Sequence, residues 1–142
     1  MIFIPLPDKN ILRYIPQREP IVMVDELLES KNNKTITTFK IKIDGLFVQS
    51  ETLHEPGLIE NIAQTAAAGA GYQFALKEEA VPAGFIAAIK NLQIHHLPKV
   101  GEELITTVEI LEEVFDMSLI KGEIKVNDYV IVDCEMKIVL NK

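Results

Sequence analysis

Apolar and polar residues alternate along most of this chain, and the alternation stops in one long central segment. Residues 57–77 are almost entirely apolar or very small, which predicts a helix that is buried on all sides. Alternating segments rich in β-branched residues lie before and after this helix, and such segments are typical of strands. The predicted strands are residues 21–28, 35–43, 83–95, 103–112, 118–126 and 129–140.

The order of these elements is two strands, one long helix and four strands. It predicts an α+β fold in which an antiparallel sheet wraps around the central helix. Asn127-Asp128 predicts a tight turn between the last two strands, residues 44–56 a loop, and residues 8–15 a short helix that begins at Asp8. Such long antiparallel strands leave sheet edges to cover, so we expect a dimer or a higher oligomer.

Two glycines, Gly69 and Gly71, interrupt the helical segment. Each costs a helix about 1 kcal/mol relative to alanine, and an exposed helix would gain nothing in return. We therefore expect another stretch of backbone to approach this part of the helix closely.

Composition excludes several classes of function. The 142 residues fit a single domain, and the formal net charge of −7 argues against a nucleic acid as the main partner. One cysteine, Cys134, allows neither an intrachain disulfide nor a cysteine-based metal cluster, and its alternating surroundings predict a small strand residue. Because no signal peptide or membrane span is apparent, we expect a soluble cytoplasmic protein.

The helix carries one acid, Glu60, followed one turn later by the amide of Gln64. A buried carboxylate is costly unless it is paired, so its presence indicates a functional role. Gln64 lies on the same helix face and would hold the carboxylate in place. The simpler interpretations are that Glu60 is a first-turn acid that interacts with the helix dipole and that Gln64 caps a buried polar group.

Three segments carry a resemblance to a known family. Ile15–Asp25 reads I-P-Q-R-E-P-I-V-M-V-D and is similar to L-P-H-R-Y-P-F-L-L-V-D. Glu60–Gln64 reads E-N-I-A-Q and is similar to the helix motif E-A-M-A-Q, while Lys90–Glu102 resembles a strand that ends in F-R-R-P-V-V-P-G-D. In this order the segments resemble the bacterial 3-hydroxyacyl-[acyl-carrier-protein] dehydratases, which have the hotdog fold.

The chain departs from that family at the catalytic histidine. The family has this residue in a G-H-F-P motif, and Leu46 stands at the corresponding position, fourteen residues before Glu60. His54 is the only histidine in this region. The pattern is similar to the dehydratase-like proteins found beside aryl-polyene and flexirubin-type pigment genes.

The resemblance implies dehydration of a 3-hydroxyacyl thioester without a cofactor, on an acyl-carrier protein or CoA. Glu60 would act on the hydroxyl group, and a histidine, with His54 as the candidate, would take the C2 proton. Free backbone amides at the helix start, those of Gly57 and Leu58, would polarise the thioester carbonyl. In hotdog dimers the glutamate helix of one subunit meets the histidine loop of the other.

Other interpretations stay open. His54 is equally a surface loop residue, and the adjacent His95 and His96 are read as polar residues at a strand end. The histidine spacing gives no i,i+4 pair and so predicts no metal site. A hotdog thioesterase needs only the helix carboxylate, and a non-catalytic subunit would bind acyl chains or pair with an active paralogue.

Overall fold

One long helix, α1 (Glu55–Leu76), lies against an antiparallel sheet in the computed structural model, which describes residues 1–141. The strands are β1 (Glu26–Lys31), β2 (Lys34–Lys40), β3 (Val48–Gln49), β4 (Thr52–Leu53), β5 (Ala83–Ile94), β6 (Glu103–Val114), β7 (Met117–Val126) and β8 (Tyr129–Asn141). Six of them form the main sheet in the order β1-β2-β6-β7-β8-β5, and β3 pairs with β4 separately. This confirms the predicted α+β arrangement.

The first strand begins five residues later than its apolar pattern predicts. Residues 21–25 are irregular, and β1 starts only at Glu26. The reason is that the backbone of this stretch bonds to a helix side chain: Gln64 Oε1 accepts from the Met23 amide at 2.7 Å, and Gln64 Nε2 donates to the Ile21 carbonyl at 2.7 Å. An apolar run therefore packs on α1 without joining the sheet.

Two further elements differ in detail from the prediction. The short helix predicted at 8–15 is reduced to a single 3-10 turn, Ile11–Arg13. Asp8 does not cap it, because its carboxylate accepts hydrogen bonds from the Asn10 amide and the Tyr14 hydroxyl. The loop predicted at 44–56 contains the β3–β4 hairpin and the first two residues of α1.

The long helix is not buried on all sides. Its inner face is fully buried, with Leu58 and Ile62 at 0% exposure in the main core. The opposite face is only partly buried, and it consists of Ile59, Glu60, Ala63, Ala66, Ala67 and Ala70. The sequence is apolar all round, but the sheet of one chain covers only one side of α1. A small, mostly apolar face is thus left available.

The two helix glycines have different neighbours. A Cβ atom at Gly71 would lie 1.8 Å from the backbone oxygen of Tyr14, which confirms the close backbone approach at this position. At Gly69 the nearest atom is the Oγ1 of the Thr35 side chain, 2.1 Å away. The prediction is therefore right for Gly71, whereas at Gly69 the approaching group is a side chain of β2.

Strand β5 forms one edge of the sheet. It pairs with β8 on one side, and within the main sheet no strand of residues 1–141 follows it on the other side. Phe85, Ile89 and Leu92 on this strand are exposed. At the β7–β8 hairpin, Asn127 and Asp128 have φ angles of 50° and 68°, which confirms the predicted tight turn.

Candidate active site

The carboxylate of Glu60 is held by Gln64, as the spacing predicts. Gln64 Nε2 donates to Glu60 Oε1 at 2.8 Å and also to the Ile21 carbonyl, while Gln64 Oε1 accepts from the Met23 amide. Gln64 is 0% exposed, so these contacts exclude other orientations of its amide group. The predicted contact is confirmed, and it also fastens the loop of residues 15–25 to the helix beside the carboxylate.

A second buried amide strengthens this attachment. Asn61 Nδ2 donates to the Met23 carbonyl at 2.8 Å, and Asn61 Oδ1 accepts from the hydroxyl of Thr106 on β6. The hydroxyl of Thr65 donates to the Asn61 carbonyl and lies 2.7 Å from the hydroxyl of Thr37 on β2. Because the side chains of this network are satisfied, the helix segment around Glu60 has a fixed position relative to the sheet.

A groove of about 1020 Å³ begins beside Glu60. It follows the partly buried helix face as far as Leu76, a distance of roughly 24 Å at the helical rise of about 1.5 Å per residue. The helix contributes small alanines to its wall, and the inner face of the sheet contributes Val108, Ile120 and Ile138. A long apolar wall with a carboxylate at one end fits an apolar chain that carries a polar head.

His54 does not line this groove. It is the residue immediately before α1, and its side chain is 39% exposed. Its Nε2 lies 3.2 Å from the backbone carbonyl of Gln49, and its Nδ1 lies 3.7 Å from the carboxylate of Glu55. Within one chain, the structure therefore does not bring His54 and Glu60 into a common pocket.

The amides of Gly57 and Leu58 are already engaged. Helix α1 begins at Glu55, two residues before the predicted start, so both residues lie within its first turn. Their amides donate to the carbonyl of His54 at 2.9 and 3.4 Å, and both residues are buried. The expectation that these two amides are free is corrected, and binding a thioester carbonyl would require them to share their hydrogens.

The other ionisable candidates lie away from the groove. His95 Nε2 is 3.3 Å from Asp133 Oδ2 in an exposed pair on the sheet, consistent with a polar residue at a strand end. Cys134 is buried in β8, and burial raises its pKa to about 11, so it is a neutral thiol at neutral pH. Among residues 1–141, no three His, Cys, Asp or Glu side chains are placed to hold a metal ion. Nor does any helix in this range have the length and apolar character needed to cross a membrane.

Gln17 is a groove residue that the sequence analysis did not single out. It lines the groove together with Glu60. Its Oε1 is buried and has no hydrogen-bond partner, in a part of the chain that the structure describes. One signal was available, since Gln17 stands at the histidine of the L-P-H-R segment that Ile15–Asp25 resembles.

Replacing Gln64 by leucine should lower the free energy of unfolding by about 2–4 kcal/mol, because the substitution leaves the Met23 amide and the Ile21 carbonyl without partners in the interior. Urea denaturation measures this loss. Gln73→Leu is the matched control, since Gln73 is an exposed residue of the same helix and makes only long contacts of 3.3 Å to Ser30. Equal losses in the two variants would contradict the proposed anchoring.

Comparisons with known proteins point to one family of dehydratases. The family model for ApeP-like proteins, described as ApeP dehydratase, matches residues 9–142. The 3-hydroxyacyl-[acyl-carrier-protein] dehydratase FabZ of Aromatoleum aromaticum is 25% identical over 133 residues, which cover 89% of this chain and 92% of the relative. The corresponding FabZ of Shewanella baltica is 24% identical over 135 residues, covering 90% and 88%.

Solved structures show the same fold. The dehydratase heterocomplex ApeI:P from Xenorhabdus doucetiae matches with a TM-score of 0.87 at 20% identity, over 97% of this chain and 93% of that chain. The PaaI protein of E. coli, from the phenylacetic acid degradation operon, matches with a TM-score of 0.64 at 12% identity and 80% coverage of each chain. These likenesses confirm the predicted hotdog fold. Because the family model spans nearly the whole sequence, the chain belongs to the ApeP-like dehydratase family.

Proposed function

We propose that this dehydratase removes water from 3-hydroxyacyl thioesters carried on an acyl-carrier protein and yields trans-2-enoyl thioesters, with Glu60 acting on the leaving hydroxyl group. The observation that carries the proposal is the Glu60 carboxylate, held by Gln64 at one end of a long groove that has an apolar wall. The curated relatives are 3-hydroxyacyl-[acyl-carrier-protein] dehydratases. The thioesterase and non-catalytic alternatives are not favoured, because the family is one of dehydratases.

The reaction requires two proton transfers. A base removes the proton from C2, the C2–C3 double bond forms, and the C3–O bond breaks. Glu60, in its protonated form, gives its proton to the departing oxygen, which leaves as water. The apolar wall of the groove would hold the acyl chain so that C3 lies beside Glu60.

A second hotdog subunit would complete this site by supplying the base. The groove of a single chain contains Glu60 but no histidine among the described residues. Two features would be covered by such a subunit: the free edge of β5 and the partly buried helix face beside Glu60. The partner is either a second copy, which would bring its own His54, or a different dehydratase subunit, as in the ApeI:P heterocomplex.

The direct test is to supply a 3-hydroxyacyl-acyl-carrier protein to the purified protein and to follow enoyl product and free thiol separately, with light scattering to give the oligomeric state. We expect a dimer that forms enoyl thioester. If His54 of a second copy is the base, His54→Ala lowers kcat by roughly 10²- to 10⁴-fold. Unchanged turnover would assign the base to another residue. Thiol release without enoyl product would contradict the proposed function.

A further inference from the structure

The helix wall of the groove carries only alanines along one line that begins at Glu60. Ala63, Ala67 and Ala70 follow Glu60 at alternating intervals of three and four residues, so they lie on one face of the helix. All three are half-buried and line the groove. The first bulky groove residue further along this line is Phe74, roughly 21 Å from Glu60 at the helical rise. An apolar chain that starts beside Glu60 can thus extend along α1 without meeting a large side chain on this line.

The sheet contributes a second apolar wall. Val108, Ile120 and Ile138 lie on the neighbouring strands β6, β7 and β8, and all three line the groove. Most of the polar residues that also line the groove, Lys34 and Lys77 among them, are exposed. The groove therefore offers apolar surface to a bound chain and stays open to water on the side where these polar residues lie.

The length of the groove determines which acyl chains can use all of it. An extended polypeptide spans about 3.3–3.6 Å per residue, or roughly 1.2 Å per bond, and an extended hydrocarbon chain has a similar rise. The distance of roughly 24 Å from Glu60 to Leu76 therefore corresponds to roughly 20 carbons beyond C3. The volume of about 1020 Å³ also slightly exceeds the range of about 300–1,000 Å³ that is typical of small-molecule sites. A short acyl chain would leave most of the apolar wall uncovered.

We infer that the preferred substrates are long-chain 3-hydroxyacyl thioesters, with roughly 12 carbons or more, and that Ala63, Ala67 and Ala70 set this range by leaving the groove open along α1. The inference rests on the proposed function, which places C3 beside Glu60. Complete burial of one methylene improves Kd by a factor of about 4, so a chain that is covered on one side should gain roughly 2-fold per methylene. Affinity should rise with chain length until the chain fills the groove.

The test uses three unreactive ligands, 3-hydroxyacyl pantetheines of six, twelve and eighteen carbons in which NH replaces the thioester sulfur. They reach roughly 4, 11 and 18 Å beyond C3 when extended. Calorimetry, at concentrations below those at which each ligand forms micelles, gives Kd for the wild type, Ala63→Phe and Ala70→Phe. At the helical rise, Ala63 lies roughly 4.5 Å and Ala70 roughly 15 Å beyond Glu60. The two substitutions therefore obstruct the groove at different chain lengths.

In Ala70→Phe we expect the Kd of the eighteen-carbon ligand to rise by about 10-fold or more, while the six- and twelve-carbon ligands stay within about 2-fold of their wild-type values. In Ala63→Phe the twelve-carbon ligand should also lose its advantage over the six-carbon ligand. Binding of the six-carbon ligand to Ala70→Phe shows that this variant is folded. Ala80→Phe, the same change at an exposed residue outside the groove, is the control and should leave all three Kd values unchanged.

The outcomes separate this inference from the proposed function. A wild-type Kd that does not depend on chain length would overturn the inference, as would an Ala70→Phe variant that weakens all three ligands equally. If enoyl product forms while both groove variants keep the wild-type length dependence, the reaction stands and the chain lies elsewhere. If the length preference changes as expected but no enoyl product forms from the thioester, the groove holds long acyl chains and the proposed reaction is the part that fails.

Discussion

Glu60→Gln should reduce kcat for dehydration by roughly 10²- to 10⁴-fold, since the amide cannot supply the proton that the departing hydroxyl needs. The substitution preserves the shape of the side chain, and the new amide oxygen can still accept the hydrogen bond from Gln64 Nε2 that Glu60 Oε1 accepts at 2.8 Å. Enoyl formation from a 3-hydroxyacyl-acyl-carrier protein measures the loss. Binding of an unreactive 3-hydroxyacyl pantetheine, with the thioester sulfur replaced by NH, should change little, because the apolar wall of the groove is untouched.

The control for this prediction is Glu79→Gln, the same chemical change at an exposed position beyond the end of α1. It should leave turnover unchanged, so any loss shared by both variants would reflect the handling of the protein. A Glu60→Gln enzyme that keeps most of its wild-type kcat would show that another group protonates the hydroxyl. Glu60 would then be an ordinary helix acid, although the observed helix start at Glu55 places it in the second turn and not in the first turn that the simpler interpretation assumed.

The sequence pattern correctly predicted the strands and the helix contact that depend only on residues close together in the chain. The four strands after the helix begin within one residue of their predicted starts, because alternation along a half-buried strand is a property of the segment itself. The contact between Glu60 and Gln64 is of the same kind, since residues four apart on a helix are neighbours. A sequence-based argument is reliable for both.

Features that depend on distant partners were not predictable in this way. The apolar run at 21–25 has the pattern of a strand. Its Ile21 carbonyl, however, accepts a hydrogen bond from the side chain of Gln64, which is more than forty residues away in the sequence. The Gln17 side-chain oxygen is buried without a partner only because tertiary packing closes around it. The helix also begins two residues earlier than predicted, so the amides of Gly57 and Leu58 lie inside its first turn.

The site itself illustrates the same division. The glutamate is fixed by its own helix, so the sequence identifies both the residue and its orienting amide. The base is different, because His54 Nε2 lies 3.2 Å from the Gln49 carbonyl and no described histidine lines the groove, so the proposed base would come from a second subunit. The proposed dehydration would thus need a residue of a partner subunit, and the pattern of one chain does not show which residue that subunit brings to the groove.

Gly71→Ala should be the most damaging small substitution in the fold. The added Cβ would lie 1.8 Å from the backbone oxygen of Tyr14, 2.6 Å from its carbonyl carbon and 2.9 Å from its Cα. This backbone cannot move aside easily, since Tyr14 is 0% exposed, its hydroxyl donates to Asp8 and its ring packs edge-on against Tyr72 at 5.7 Å. We expect a loss of about 3 kcal/mol or more in the free energy of unfolding, which outweighs the helical gain of about 1 kcal/mol.

Gly69→Ala provides the contrast that isolates the backbone clash. Its Cβ would meet the Thr35 Oγ1 at 2.1 Å, and Thr35→Ala removes this atom and leaves only the Cβ of residue 35, at 3.0 Å. The cost of Gly69→Ala should therefore be smaller in the Thr35→Ala background, whereas Tyr14→Phe should give no relief to Gly71→Ala. Urea denaturation of the variants in both double-mutant cycles measures the coupling free energy between residues 69 and 35 and that between residues 71 and 14. If Gly71→Ala unfolds at the wild-type urea concentration, the close packing of α1 on the Tyr14 backbone is wrong.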